Sequence, residues 1–220
     1  MSIPHGLREN KDYQSNMAPS EDKPMDFHVE ELRKLHEEYQ RSVPNKYEAT
    51  LDRLATALPA KNAAGVASAL SDWLGNINMQ YYRFRPVKRK SLQGDLERLI
   101  ARQLEILLAF RLRNIASLTE ADGPDVSQLF GVLREKLGPV GAAKALHVLA
   151  PNMFPLWDSA IAQAAGVSKE RGYFQFMQIR REQVVSLPSG LPKDVSPLKL
   201  LDEVDYLRHT AKRNAVQRSG

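Results

Sequence analysis

The stretch from Leu137 to Gly166, LGPVGAAKALHVLAPNMFPLWDSAIAQAAG, contains the features that decide the fold of this chain. It opens with a glycine-bracketed turn, Gly138-Pro139-Val140-Gly141, and continues into a helix start rich in alanine. An apolar run and a proline-rich corner follow, and then Trp157-Asp158 leads a short helix that is predicted to stop at Gly166. The pattern predicts two helices joined by a tight turn, with Asp158 at the start of a further helix.

Two residues of this stretch have more than one interpretation. The turn presents backbone N–H groups at a helix N-terminus, where a phosphate can bind. Gly138 alone, however, is what any helix C-terminus would use in the left-handed αL conformation. Asp158 has aromatic and proline neighbours, so its carboxylate is expected in a partly apolar place. It is equally a good N-cap, which by itself stabilises a helix by roughly 1 kcal/mol.

Amphipathic helices are predicted on both sides of this stretch. Upstream, they run from near Asp26, from Lys46 to Leu58, from Ala63 to Tyr82, from the cap Ser91 over Leu92 to about Ala116, and from Asp122-Gly123-Pro124-Asp125 to Leu137. Downstream, they run from about Gly172 to Leu187 and from Ser196-Pro197 onward. The residues predicted to face inward are Leu32, Leu51, Leu54, Leu58, Val66, Leu70, Trp73, Leu74, Leu96, Leu99, Ile100, Leu104, Leu107, Leu112, Ile115, Val126, Leu129, Phe130, Leu133, Leu137, Leu198, Leu201, Val204 and Leu207.

These helices predict an all-α protein with a single multi-helix domain at residues 25–212, in which the helical hairpin covers about 126–166. The chain has 220 residues, of which 43% are hydrophobic, so it has ample material for a core. Residues 1–24 are polar and lack periodicity, and they are predicted to be a disordered acidic leader. Residues 213–220 are predicted to be a basic tail.

Charge is distributed unevenly along the chain. Residues 1–40 contain nine acids and five bases, so they carry a net charge of −4. Because the whole chain carries +5, the other 180 residues carry +9. This favours a polyanionic partner, although a solvated basic surface has the same composition. A basic run with interleaved aromatics, whose cations are Arg83, Arg85, Lys88, Arg89 and Lys90, is suited to binding the backbone of a nucleic acid. The alternative is a basic loop that its aromatic residues anchor to the core.

Several classes of protein are excluded or disfavoured. The chain has no cysteine, which excludes disulfides, zinc–thiolate sites and cysteine-ligated iron–sulfur clusters. We find no P-loop, dinucleotide fingerprint, HExxH or serine-elbow motif, and we expect no cofactor and no metal. His28 and His36 are predicted at the surface or its boundary, and His147 as a satisfied core histidine. No apolar run reaches membrane-spanning length and no secretory signal is evident, so we expect a cytoplasmic protein with no membrane partner.

The sequence Leu137-Gly138-Pro139-Val140-Gly141, with Ala145, resembles the helix-hairpin-helix motif. The segment Phe154-Pro155-Leu156-Trp157-Asp158-Ser159-Ala160-Ile161 is similar to the one that follows the hairpin in the helix-hairpin-helix DNA glycosylase superfamily, which acts in DNA repair. The resemblance covers about residues 128–167. Lys144-Ala145-Leu146-His147 with the later FPLWD is also similar to bacterial proteins to which the resemblance assigns no activity.

The resemblance implies a role for each matching residue. The hairpin backbone at Gly138, Val140, Gly141 and Ala142, with Lys144, would hold a DNA phosphate. Asp158 would be the catalytic carboxylate, and Phe154, Trp157 and Tyr173 would wall a pocket for a flipped base. The lysine that bifunctional members carry two residues after the second hairpin glycine is replaced here by Ala143, and Lys144 lies one residue later.

Three hypotheses about function follow. The first is a DNA-binding protein of glycosylase-like architecture that contacts the phosphates of duplex DNA. The second is a monofunctional DNA glycosylase that uses Asp158. The third is a helical interaction protein that does not bind DNA.

Overall fold

The computed structural model describes residues 28–42, 47–77, 86–168, 172–193 and 195–211, without the side chains of residues 42, 76–77, 86–90 and 210–211. These residues form eight α-helices and no β-strand, so the all-α prediction is confirmed. The helices are α1 (Val29–Ser42), α2 (Tyr47–Ala57), α3 (Ala63–Ile77), α4 (Pro86–Arg111), α5 (Gly123–Leu149), α6 (Ser159–Ala164), α7 (Tyr173–Ser186) and α8 (Pro197–Asp205). The predicted leader at 1–24 and the basic tail at 213–220 lie outside the described residues.

The main core lies between α2, α3, α4, α5 and α7. Helix α3 packs along α4, α2 packs on α3 and α5, and α5 packs on α4 and α7. The inward faces that hydrophobic periodicity predicts are confirmed over most of this core. The predicted residues that are buried are Leu54, Leu58, Val66, Leu70, Trp73, Leu74, Leu96, Ile100, Leu104, Leu107, Ile115, Val126, Leu129, Phe130, Leu133 and Leu137.

Helix α4 begins earlier and ends earlier than predicted. It starts at Pro86, so Ser91 lies inside the helix instead of capping it. Proline suits the first position of a helix because its φ angle is already helical. Its missing N–H costs nothing there, since that N–H would have no partner within the helix. Because the helix ends at Arg111, Leu112 is 90% exposed, and its predicted inward orientation is wrong. The predicted cations Lys88, Arg89 and Lys90 lie on the first turns of α4 with undescribed side chains, and Arg83 and Arg85 lie outside the described residues.

A smaller apolar cluster joins α1 to the last helix, α8. It consists of Leu32, Leu200, Leu201 and Val204. His36 points into the same interface, where it is 7% exposed and its Nδ1 lies 2.6 Å from Glu203 Oε2. The prediction of a surface or boundary position for His36 is therefore wrong, because the apolar face of α1 packs against α8 and encloses the imidazole.

Charged residues that the sequence suggests are solvated also lie inside. Arg180 of α7 is buried in an ion pair with Asp205 of α8. Burial lowers the pKa of Arg180 to about 10. Helix α8 buries Lys199, Asp202, Glu203 and Asp205 together with its apolar face. It is enclosed because α1 and α7 both pack on it.

Helix α5 is broken at Gly138, which has φ 73° and ψ 168°. The predicted positive φ is confirmed, but the ψ angle differs from the αL value of about 47°. This combination is almost restricted to glycine, because a Cβ would be strained there. The break divides α5 into an arm before Gly138 and an arm that begins at Pro139. The predicted turn over residues 138–141 is therefore too long, because Pro139 fits the first position of a helix.

We predict that Gly138→Ala lowers the free energy of unfolding by about 1–3 kcal/mol, because alanine would be strained at this φ and ψ. Gly131→Ala is the matched control, since Gly131 is helical in the same helix and an added Cβ would meet nothing within 4 Å. The control should be neutral or stabilising by up to about 1 kcal/mol. Urea denaturation of the two variants measures both values, and equal effects would contradict the backbone argument.

Candidate functional site

The break in α5 at Gly138 is only partly open to solvent. Gly138, Pro139 and Val140 are half-buried, whereas Gly141 and Ala142 are buried. The part of the predicted phosphate site that solvent reaches is therefore the turn itself. Trp157 is linked to this turn, because its indole Nε1–H donates to the Pro139 carbonyl at 3.4 Å.

Asp158 is the N-cap of α6, as predicted. Its Oδ1 accepts from the backbone N–H groups of Ala160 at 2.8 Å and Ile161 at 3.0 Å. The residue is half-buried, so its carboxylate is not fully removed from solvent. Capping accounts for Oδ1.

Lys144 lies on the arm of α5 that follows Gly138, and its amine is within electrostatic reach of Asp158. Burial lowers the pKa of the Lys144 amine, and the charge of Asp158 partly offsets this effect. The structure therefore brings together two of the predicted residues that lie 14 positions apart in the chain. We call Lys144, Asp158 and residues 138–140 at the break in α5 the hairpin site, after the predicted motif.

The three predicted pocket residues are core residues. Phe154, Trp157 and Tyr173 are all at most 1% exposed. The Tyr173 ring stacks on Phe130 with centroids 4.6 Å apart, and Trp157 meets Tyr173 edge-on at 5.3 Å. Tyr173 is therefore a core aromatic. A pocket walled by these rings would require the core to open.

A non-helical segment, residues 154–157, leads through the core to Asp158. We call it the strap. Its backbone groups are held by buried side chains from three helices. His147 of α5 donates to the Phe154 carbonyl at 2.8 Å, and Tyr173 of α7 donates to the Pro155 carbonyl at 2.9 Å. The Leu156 N–H donates to Asp202 of α8, with both carboxylate oxygens at 3.2 Å.

His147 is a satisfied core histidine, as predicted. Its Nδ1–H donates to the strap, and its Nε2 accepts from the Tyr47 hydroxyl at 2.7 Å. Burial lowers the pKa of His147 to about 3, so the ring is neutral at physiological pH. With both ring nitrogens bonded and no exposure, it is a structural residue and not a base open to solvent.

Asp202 is the residue that sequence reasoning missed. It is 3% exposed, and burial raises its pKa to about 7, while the Leu156 N–H opposes that shift. The sequence of α8 gives no clear signal for this role. Its leucine and valine spacing marks one inward face, and Asp202 lies off that face on a helix that is buried all round.

The described ranges also bear on metal binding, cavities and membrane-spanning helices. Within them, no three His, Asp or Glu side chains are grouped as a metal site would require. A surface cavity of about 300 Å³ is lined by Phe110, Arg113, Asp122 and four neighbours, none of which is a predicted site residue. Across residues 28–211, wherever the structure describes them, no helix combines the length and apolar character needed to cross a bilayer.

No known family, curated protein or solved structure matches this chain. The assignment of a function therefore depends on the hairpin site and its surroundings.

We predict that Asp158→Ala lowers the free energy of unfolding by about 1 kcal/mol, because two N–H groups of α6 lose their acceptor. Asp158→Asn keeps a side-chain oxygen at the cap and should stay within a few tenths of a kcal/mol of wild type. Thermal and urea denaturation of the pair measure this contrast. If both substitutions were equally costly, the carboxylate charge and not the cap would be what stabilises the fold.

Proposed function

We propose that this protein binds duplex DNA through the hairpin site, with the turn at 138–140 facing a backbone phosphate. The observation that carries the proposal is the glycine break in α5. It starts a helix arm at Pro139 and leaves residues 138–140 half-buried. The first N–H groups of a helix have no partner within the helix, and here the first of them belongs to Val140, because proline has none. Such a helix start attracts anions through its N–H groups and its dipole.

Charge around the turn supports a polyanionic ligand. Lys136 is exposed two residues before Gly138, and Lys144 follows on the second arm. Beyond residue 40 the chain carries +9. A surface of this sign releases counterions from DNA when it binds phosphates, so the affinity should fall steeply with salt.

A second candidate function, N-glycosidic hydrolysis of a damaged base, is favoured by the position of half-buried Asp158 at the start of α6. Asp158 occupies the helix start where the resembling enzymes hold their catalytic carboxylate. In such a reaction the carboxylate would stabilise the cationic sugar that forms as the base leaves. The buried rings of Phe154 and Trp157 argue against a preformed base pocket, so this activity ranks second.

The decisive experiment measures binding to two short duplexes, one intact and one with an abasic-site analogue, by fluorescence anisotropy at several salt concentrations. We expect binding to both, with log Kd rising linearly with log salt. Lys144→Gln should weaken binding and reduce the salt slope by about 0.9, because one phosphate contact is lost. Lys34→Gln removes the same charge from an exposed position on α1 and is the matched control.

The outcomes separate the hypotheses. If Lys144→Gln and Lys34→Gln had equal effects, DNA would bind elsewhere on the basic surface. Strong preference for the abasic analogue would favour the glycosylase, for which Asp158→Asn should abolish base release from a lesion-containing duplex while the Kd stays unchanged. Absence of binding to both duplexes at low salt would overturn the DNA proposal and leave a helical interaction protein.

A further inference from the structure

We propose that Asp202 is a positioning residue that holds the strap through the Leu156 N–H and thereby fixes Asp158 and the hairpin turn relative to each other. Its relevance to DNA rests on the function proposed above, whereas the structural coupling can be tested without DNA. The coupling makes the hairpin site responsive to pH in the neutral range.

Hydrogen bonds from several elements hold the strap and its tryptophan side chain. Three successive residues, 154–156, are hydrogen-bonded by side chains of three different helices, and the fourth, Trp157, is bonded to the Pro139 carbonyl. Asp158 follows immediately, and its own position is fixed by the start of α6. A shift of the strap would therefore move the indole and the cap together.

Asp202 differs from the other strap partners because its charge can change. His147 and Tyr173 are neutral donors, whereas an ionised Asp202 is a charge-assisted acceptor for Leu156, and such bonds are about twice as strong as neutral ones. Protonation of Asp202 removes that assistance. The strap should then be held less tightly, although the other bonds persist.

The surroundings of Asp202 determine where it titrates. His147 Nδ1 lies 3.6 Å from its Oδ2, but this nitrogen already donates to Phe154. The charged or titratable groups that face it are Tyr47 of α2, His147 of α5, Tyr173 and Arg180 of α7, and Lys199 and Glu203 of α8. Burial outweighs the cations, so the pKa of Asp202 rises to about 7.

Global stability and strap order respond to pH in opposite directions. A carboxyl whose pKa rises on folding, here from 3.8 to about 7, contributes stability that is complete below pH 3.8 and is lost as the pH rises through about 7. Ionisation thus lowers global stability while it strengthens the bond to Leu156. A looser strap at low pH cannot then be attributed to a less stable protein.

The test follows the Leu156 amide and the Trp157 indole in ¹H–¹⁵N correlation spectra of the full chain between pH 5.5 and 8.5. The chain has two tryptophans, so a Trp73→Phe spectrum assigns the indole peaks. In wild type both signals should shift with a common midpoint near pH 7. Asp202→Asn keeps an acceptor oxygen but has no charge. In this variant neither chemical shift should change with pH, and both should stay close to the wild-type values at low pH.

Glu203→Gln is the control, since Glu203 is buried next to Asp202 on the same helix but binds His36 and Lys199. Because the Glu203 charge raises the pKa of Asp202, this variant should keep the titration and move its midpoint to lower pH. Wild-type signals that do not titrate near neutral pH would overturn the proposal, even if Asp202→Asn failed to fold. So would a titration that persists unchanged in Asp202→Asn.

DNA affinity provides the separate functional readout. Between pH 6 and 8, the affinity of wild type relative to Asp202→Asn should rise about twofold or more, a usual size for coupling between linked elements. A normal spectroscopic titration without DNA binding would refute the proposed function and leave the coupling intact. DNA binding without the titration would refute the coupling alone.

Discussion

Backbone polar groups in a non-helical segment that crosses the core must find partners there, and this constraint governs the centre of the structure. Residues 154–157 have no helical ladder, and an unpaired buried N–H or C=O costs about 1–3 kcal/mol. The partners come from His147, Tyr173 and Asp202 on three helices. The cost of burying these polar side chains is offset by their hydrogen bonds to the strap. The same bonds connect α5, α7 and α8 to the strap.

The strap also explains why the last helix is charged and yet buried. Because Asp202 bonds Leu156 in the core, α8 lies in the interior. Its other charged residues, Lys199, Glu203 and Asp205, are buried with it. Glu203 is bonded by His36 of α1 and by Lys199, and Asp205 pairs with Arg180 of α7. Desolvation offsets much of the attraction in such pairs, so we expect them to define how α1 and α7 dock more than to add stability.

Apolar periodicity was sufficient to predict the helices and most of the core, because a helix must bury one continuous face. Local chemistry was sufficient for the cap at Asp158 and the break at Gly138. The predicted start of α4 was wrong because the sequence contains two helix-start signals, the proline at 86 and the serine at 91. The helix begins at the first of them, Pro86. Burial of His36, Arg180 and Asp202 was not predictable, because it depends on partners distant in sequence. For the same reason, the sequence could not show that the predicted pocket aromatics pack with Phe130.

The position of Lys144 resolves an electrostatic conflict in the hairpin site. A carboxylate beside a phosphate-binding turn would repel the ligand that the helix start attracts. Asp158 is nevertheless close to the turn, because Trp157 bonds Pro139 and Asp158 follows it directly. The Lys144 amine lies within electrostatic reach of that carboxylate and has the opposite charge, so in the proposed binding mode it would reduce the repulsion of an anion. In the proposed binding mode, the same arrangement would keep a carboxylate next to the DNA backbone, where a glycosidic reaction would need it.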